Sequence, residues 1–176
     1  MNKKIPWFYP LFDESEKADV EISIDPEMLG RVFENLLEEN IRKEGGSFYT
    51  PRVIVNYMVE ESIAIFLKNK LQKNFNKKEL IDFIQNKEFD NSKENIFLSN
   101  AELIDSLLTN IKICDPAVGS GAFAVSIMNV IVKLRLKLLN HVKRKYKNTS
   151  YHFKRNFIQS NFHGVDIDES AVEITK

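Results

Sequence analysis

The chain has 176 residues, of which 43% are hydrophobic and 28% are charged, values typical of a globular protein rather than a disordered or fibrous one. It has no run of about 18 apolar residues and no long apolar N-terminal stretch with a small-residue cleavage site, so we expect neither a membrane span nor a signal peptide. The single cysteine, Cys114, excludes an intramolecular disulfide and fits a reducing cytoplasm, where we expect the protein to function.

The formal net charge is zero, but the charges are unevenly distributed along the chain. Residues 13–39 are mostly acidic, whereas residues 133–155 carry basic side chains and no acidic one. Such a basic stretch indicates a polyanionic partner such as nucleic acid, although a solvated helix face gives the same pattern. The candidates for nucleic-acid contacts are Lys143, Arg144, Lys145, Lys147, Lys154 and Arg155.

Two helices are predicted in the N-terminal part of the chain. Residues 25–27 (Asp-Pro-Glu) provide an N-cap, a proline suited to the first helical position and an acid for the positive helix end. The apolar residues over 28–41 then lie on one helix face, and the glycines at 45–46 end the helix. Thr50-Pro51 starts a second helix by the same chemistry, with a buried stripe predicted at Val55, Met58, Val59, Ser62, Ile63 and Phe66.

The middle of the chain gives weaker signals. Residues 68–99 are rich in Lys, Asn and Phe, and we interpret them as a variable, partly helical insertion. Residues 99–102 (Ser-Asn-Ala-Glu) have the form of a capping box, which predicts a short helix through Leu108.

From residue 111 onward the pattern becomes that of an α/β protein. A β-type run over 111–115 leads through glycines into a long helix, and a second strand is predicted over 162–166, with Asp168 capping a final helix. Strand, glycine loop, helix, strand and helix make half of a parallel α/β sheet. We therefore divide the chain into a linker (1–24), a helical region (25–110) and a partial α/β domain (111–176). The apolar positions of the long helix are Phe123, Ile127, Ile131, Leu134 and Leu138.

The first candidate binding site is the glycine loop, residues 115–123 (Asp-Pro-Ala-Val-Gly-Ser-Gly-Ala-Phe). Such a loop presents free N–H groups and a positive helix end to a ligand, although an ordinary tight turn has the same form. Residues 119–124 also match the dinucleotide fingerprint G-x-G-x-x-G/A, which expects an acid about 20 residues later. Here the second-strand acid, Asp166, lies much farther along. Asp115 beside the loop would repel a pyrophosphate and suit a cationic group, so a nicotinamide cofactor is a minor alternative.

Two other segments are candidate sites. Asp166 ends the second strand beside the glycine loop, where α/β proteins bind ligands, and it can accept both hydroxyls of a ribose; we interpret Asp168 as an N-cap only. Residues 46–52 (Gly-Ser-Phe-Tyr-Thr-Pro-Arg) show by spacing alone only a capped helix start, in which Phe48 and Tyr49 could be core aromatics. The three histidines lack ligand spacing, so no metal site is proposed.

Together these segments resemble the gamma-group N6-adenine DNA methyltransferases, most closely those fused into single-chain type IIG restriction–modification enzymes. In that family a Phe-Tyr-Thr-Pro segment, matched by residues 48–51, precedes a loop Asp-Pro-Ala-x-Gly-Ser-Gly-Ala-Phe, matched by residues 115–123. Its second-strand signature is Gly-Val-Asp-Ile-Asp followed by Ala-Val-Glu-Ile, matched within residues 164–174. Residues 25–34 also resemble the helical lead-in of the fused enzymes.

The resemblance implies a Rossmann-like methyltransferase fold that binds S-adenosylmethionine and, in the intact enzyme, double-stranded DNA. It implies that Thr50 contacts the methionine carboxylate, that Asp115 and the backbone of 117–121 surround the methionine portion, and that Asp166 binds the ribose diol with Ile167 against the adenine. The cofactor residues on this basis are Tyr49, Thr50, Pro51, Asp115, Pro116, Ala117, Gly119, Ser120, Gly121, Phe123, Asp166 and Ile167.

The sequence departs from the family in one respect. The catalytic Asn-Pro-Pro-aromatic motif is absent, as is the third-strand acid that binds the adenine of the cofactor, so no catalytic residue is assigned. We expect a truncated chain that transfers no methyl groups alone, with the missing motif and any nuclease and specificity domains elsewhere in the intact protein. An RNA or protein-glutamine methyltransferase and a non-enzymatic helical interaction module remain alternatives.

Overall fold

A computed structural model of the chain describes residues 50–71, 75–85, 96–143, 145–146 and 149–175, together with Val32, which is helical. The rest of the helix predicted over residues 25–41 lies outside the described residues, as do Phe48 and Tyr49. Among the described helices, none is both long enough and apolar enough to cross a membrane.

The described elements form a mostly helical structure with a small parallel sheet. In chain order the elements are α1 (Arg52–Leu71), α2 (Lys77–Ile84), α3 (Ala101–Asn110), β1 (Ile113–Asp115), α4 (Ala122–Leu138), α5 (Thr149–Asn156), β2 (Phe162–Gly164) and α6 (Glu169–Thr175). A 3₁₀ turn, Leu139–His141, follows α4, and a π-helical turn, Phe157–Asn161, connects α5 to β2.

Strands β1 and β2 pair in parallel, with Ile113 beside Phe162 and Asp115 beside Gly164. Because parallel strands cannot be joined by a tight turn, α4 and α5 form the crossover between them. Both strands are shorter than the sequence predicts, but their pairing is compatible with the expected partial α/β fold. Cys114 of β1 is exposed, although its sequence neighbours are apolar.

Helix α1 buries one face against α4 and α2. Val55, Val59 and Ile63 recur one turn apart on that face and are buried, as predicted. Met58 and Ser62 were predicted to share the stripe, but they are exposed. Both lie on the adjoining side of the helix, where they line an open cleft rather than the core.

Residues 68–99, interpreted from sequence as a partly helical insertion, are helical in part and contribute to the hydrophobic core. Helix α2 begins with a capping box: the Asn76 side chain accepts a hydrogen bond from the N–H of Glu79 at 2.8 Å, and the Glu79 carboxylate accepts one from the N–H of Asn76 at 3.3 Å. Phe83, which is fully buried, stacks on Phe97 with the ring centroids 4.3 Å apart. One core cluster therefore includes residues on both sides of the predicted boundary at residue 110.

The capping box predicted at Ser99 and Glu102 is wrong. Helix α3 begins after Asn100, and the side chains of Ser99 and Asn100 both donate to the carbonyl of Ile96, at 3.0 and 2.8 Å. Glu102 accepts a hydrogen bond from the backbone N–H of Lys143 at 2.6 Å. The carbonyl of Ile96, in the helical turn over residues 96–99, thus takes the side chains that would otherwise cap α3.

Helix α4 carries its predicted apolar positions inward: Phe123 is half-buried and the other four are buried. Arg135 on the same helix is also buried, with 2% of its surface exposed. Its Nε donates to Asp105 of α3 at 2.7 Å, and its guanidinium carbon lies 3.8 Å from the ring centroid of Phe153. Tyr146 donates to the same Asp105 carboxylate at 3.0 Å. The basic stretch is therefore not wholly a solvated face, because one of its cations is a paired core residue.

We predict that Phe83→Ala destabilises the fold by about 3–5 kcal/mol, because it removes a fully buried ring and leaves a cavity beside Phe97. The free energy of unfolding, measured in urea, tests this. The control is Tyr57→Ala, which removes a ring that is 61% exposed on α1 and should cost far less. Equal losses for the two variants would show that Phe83 is not part of the core.

Candidate functional site

The two predicted carboxylates lie at one edge of the sheet. Strand β1 ends at Asp115, and the N–H of Val165 donates to the Asp115 carbonyl at 2.9 Å, so the pairing continues one residue beyond β2. Asp166 follows directly and is half-buried. Because parallel strands end at the same edge, two residues far apart in sequence become neighbours beside the glycine loop, which is the usual ligand position in α/β proteins.

Two glycines give the loop its shape. Gly119 has φ +53° and Gly121 has φ +85°, a left-handed region that residues with a Cβ rarely adopt. The N–H of Val118 donates to the carbonyl of Val165 at 3.0 Å, and the N–H of Gly121 donates to the carbonyl of Val118 at 2.9 Å. Gly121 is also the N-cap of α4, so the first turn of that helix directs N–H groups toward the loop.

The Asp166 carboxylate joins β2 to this loop. Its Oδ2 accepts a hydrogen bond from the N–H of Gly119 at 2.8 Å, and its Oδ1 accepts one from the N–H of Asp168 at 2.9 Å. An ionised carboxylate can accept about four hydrogen bonds, so these two leave capacity for ligand hydroxyls. Asp166 can therefore hold the loop and contact a ligand at the same time.

Asp115 is engaged within the loop itself. Its Oδ1 accepts a hydrogen bond from the N–H of Ala117 at 3.0 Å, which stabilises the turn through Pro116. Asp115 is half-buried, whereas Pro116 and Ala117 are exposed. The loop thus presents a fixed negative group beside an accessible stretch of backbone.

The Thr50-Pro51 segment reaches the same edge through α1. The carbonyl of Pro51 accepts the first hydrogen bonds of that helix, and Thr50 precedes it, half-buried. Near the start of α1, Asn56 Oδ1 accepts a hydrogen bond from the hydroxyl of Ser126 in α4 at 2.9 Å. This bond joins the N-terminal parts of α1 and α4, and so places Thr50 toward the glycine-loop end of α4. Tyr49 lies outside the described residues.

An open, mainly apolar cleft of about 500 Å³ adjoins the loop. It shares Asp115, Pro116 and Phe123 with the predicted cofactor residues. Every residue from 111 to 116 lines the cleft. Alternate strand residues point to opposite faces of a sheet, so a cleft over one face would contact only every second residue. The cleft therefore runs along the edge of β1. The other lining residues are Met58, Val59, Ser62, Ile63, Phe66, Ile127 and Phe162.

The remaining predicted cofactor residues surround the loop. Ser120 is half-buried between the two glycines, and Ile167 is 89% exposed just beyond Asp166. The structure therefore groups the described cofactor candidates at one end of the sheet.

Thr175, in the last turn of α6, is a further residue at the loop that no sequence motif predicted. Its hydroxyl donates to the carbonyl of Gly119 at 2.6 Å, and its Cγ2 lies 3.3 Å from the point where a Cβ on Gly121 would stand. Its position one turn after the buried Ala171 indicated an inward-facing residue, but no motif indicated a contact with the loop.

The candidate nucleic-acid residues lie away from the glycine loop. Lys143 and Lys145 follow the far end of α4, whose 17 residues span about 25 Å, and Lys154 and Arg155 lie in the last turn of α5. Lys143, Lys145 and Arg155 are exposed and Lys154 is half-buried. Arg144 and Lys147 lie outside the described residues.

Comparison with known proteins gives one informative relative. The chain is 32% identical to a protein of Methanocaldococcus jannaschii that carries the provisional name type II restriction enzyme and methyltransferase. The alignment covers 92% of this chain. The chain is thus related in sequence to a restriction–modification protein. It spans only 14% of the length of that relative. No family model matches the chain, and no solved structure matches it.

We predict that alanine at two glycines of this region destabilises the protein for different reasons. A Cβ at Gly119 meets no atom within 4 Å, so Gly119→Ala introduces no clash. It should still cost about 1–2 kcal/mol, because a residue with a Cβ is strained at this positive φ. Gly164→Ala places a Cβ 2.9 Å from Val118 Cγ2, which is too close, so either Val118 or β2 must move. Urea unfolding measures both losses.

Adding Val118→Ala to each variant distinguishes a steric clash from backbone strain. It should recover part of the stability lost in Gly164→Ala, because it removes the colliding methyl group, and recover none of that lost in Gly119→Ala. Equal recovery in both would contradict the assignment of steric contact to one glycine and backbone strain to the other.

Proposed function

We propose that this chain is the cofactor-binding part of an S-adenosylmethionine-dependent, N6-adenine-specific DNA methyltransferase of a restriction–modification system, of the fused type IIG kind. The observation that carries the proposal is the carboxylate of Asp166 bonded to the N–H of Gly119 at the edge where Asp115 also ends its strand. The named relative supports the restriction–modification context. In this proposal residues 111–176 begin a Rossmann-like domain, and residues 25–110 are its helical lead-in.

The residues present fit such a cofactor by their chemistry. The space beside Gly119 is open, because a Cβ placed there meets no atom within 4 Å, so a ligand can approach the backbone closely. Asp166 keeps acceptor capacity for a ribose diol, Asp115 suits the cationic methionine portion, and Ile167 offers an apolar surface to adenine. Thr50 and the backbone of 117–121 would hold the methionine end. When bound, the cofactor would supply a methyl group on a positively charged sulfur.

Double-stranded DNA is the proposed substrate of the intact protein. The relative's name couples a restriction enzyme with a methyltransferase. Adenine specificity follows from the motif resemblance, and an enzyme that modifies a base must first extrude it from the duplex. The Asn-Pro-Pro-aromatic motif is absent from this sequence, so the role proposed for these residues is to bind cofactor rather than to hold the target base.

We predict that the chain binds S-adenosylmethionine and that Asp166→Ala weakens the binding at least about tenfold, because the variant loses both the ribose acceptor and the bond to Gly119. Isothermal titration measures the affinities. Glu169→Ala is the matched control, since it removes an exposed acid in the first turn of α6 and should leave the affinity unchanged. Far-ultraviolet circular dichroism confirms that each variant is folded.

The same titration separates the candidate functions. Identical heats for the parent chain and Asp166→Ala would favour a helical interaction module whose glycine turn is structural. Binding that depends on Asp166 would support the methyltransferase proposal for DNA, RNA or protein substrates alike. The relative's name favours DNA among these.

We predict that the basic stretch contacts DNA phosphates. Replacing Lys145 and Arg155 together with alanine should lower the slope of log affinity against log salt by about 2, because each phosphate contact contributes about 0.9. Fluorescence anisotropy with a labelled duplex measures the slope. Replacing the exposed Lys68 and Lys70 of α1 is the charge-matched control. An equal slope change in the two double variants would remove any special role for the basic stretch.

A further inference from the structure

The backbone at Gly119 is held on both sides by residues that follow β2. Its N–H donates to Asp166 Oδ2 at 2.8 Å, and its carbonyl accepts a hydrogen bond from the Thr175 hydroxyl at 2.6 Å. The first bond fixes the peptide plane before Gly119 and the second fixes the plane after it. Because each peptide is planar, the two bonds together determine φ and ψ of this glycine.

Glycine has no intrinsic preference for the backbone conformation observed at position 119. It adopts positive and negative φ about equally readily, so other contacts must select the observed value of +53°. The contacts from β2 and α6 provide that selection.

Thr175 is itself fixed in a position to act on the loop. Its hydroxyl also lies 3.1 Å from the carbonyl of Ala171, one turn earlier in α6, and its methyl group packs against Gly121. A β-branched side chain has few χ1 rotamers, so these contacts leave the hydroxyl aimed at the Gly119 carbonyl.

The direction of one N–H group follows from this bond. In a trans peptide the C=O of one residue and the N–H of the next point in opposite directions. The Gly119 carbonyl points to Thr175, so the N–H of Ser120 points away from α6, out of the loop. We propose that Thr175 is a positioning residue of the cofactor site: it holds the Gly119 carbonyl so that the Ser120 N–H is directed at the methionine portion of S-adenosylmethionine. This inference rests on the proposed function.

The test compares Thr175→Val, which keeps the shape and loses the hydroxyl, with Thr175→Ser, which keeps the hydroxyl. Thr109→Val is the matched control, because the Thr109 hydroxyl also donates to the carbonyl four residues earlier, at 2.7 Å, but in α3. We expect Thr175→Val to weaken S-adenosylmethionine binding about tenfold in isothermal titration. Thr175→Ser and Thr109→Val should remain within about twofold of the parent chain.

A second readout needs no cofactor. The N–H groups of Gly119 and Gly121 are protected by hydrogen bonds to Asp166 and to the Val118 carbonyl. Their hydrogen exchange, measured by NMR, should be about tenfold faster in Thr175→Val than in Thr175→Ser, because the loop then opens more often. Affinity and exchange unchanged in Thr175→Val would overturn the inference while leaving the proposed function intact. A different outcome would overturn the proposed function instead: the chain binds no S-adenosylmethionine, but its exchange rate still depends on the Thr175 hydroxyl. The control of the loop by Thr175 would then stand without the cofactor.

Discussion

The bond from the Gly119 N–H to the Asp166 carboxylate connects the two halves of the candidate site. It joins the loop after β1 to the residues after β2, and therefore depends on the parallel pairing that brings those strand ends together. A carboxylate that accepts a backbone N–H at each of its oxygens is held in one orientation. The position of the loop beside β2 and the orientation of the Asp166 carboxylate both follow from this contact.

The helices act as the support for that edge. Helices α1 and α4 pack together, and the Ser126–Asn56 bond joins their N-terminal parts, so Thr50 and the glycine loop lie toward the same end of these helices. At the other end, the paired charges of Asp105 and Arg135 lie inside the core, where the loss of one partner is costly. In the described part of the chain β1 pairs with β2 alone, and the cleft along residues 111–116 leaves its other edge open to a further strand.

The sequence was informative wherever a local pattern had a local cause. Helical spacing predicted α4 and the Val55–Val59–Ile63 face of α1, and the glycine loop followed by Asp166 predicted which residues gather at the sheet edge. It failed where a hydrogen-bond partner lay outside the pattern, either in the preceding turn or far along the chain. Ser99 and Glu102 matched a capping box, but the carbonyl of Ile96 and the N–H of Lys143 took their hydrogen bonds. Arg135 counted as one more surface cation until its contact with Asp105 placed it in the core, and Thr175 carried no motif at all.

The length of α4 limits what one partner can touch. Its 17 residues set the glycine loop and the lysines beyond Leu138 about 25 Å apart. Successive base pairs rise about 3.4 Å, so that distance corresponds to about seven steps of a straight duplex. Under the proposed function, a single stretch of DNA that contacts both regions would span at least that many base pairs, and a shorter oligonucleotide would reach one region only.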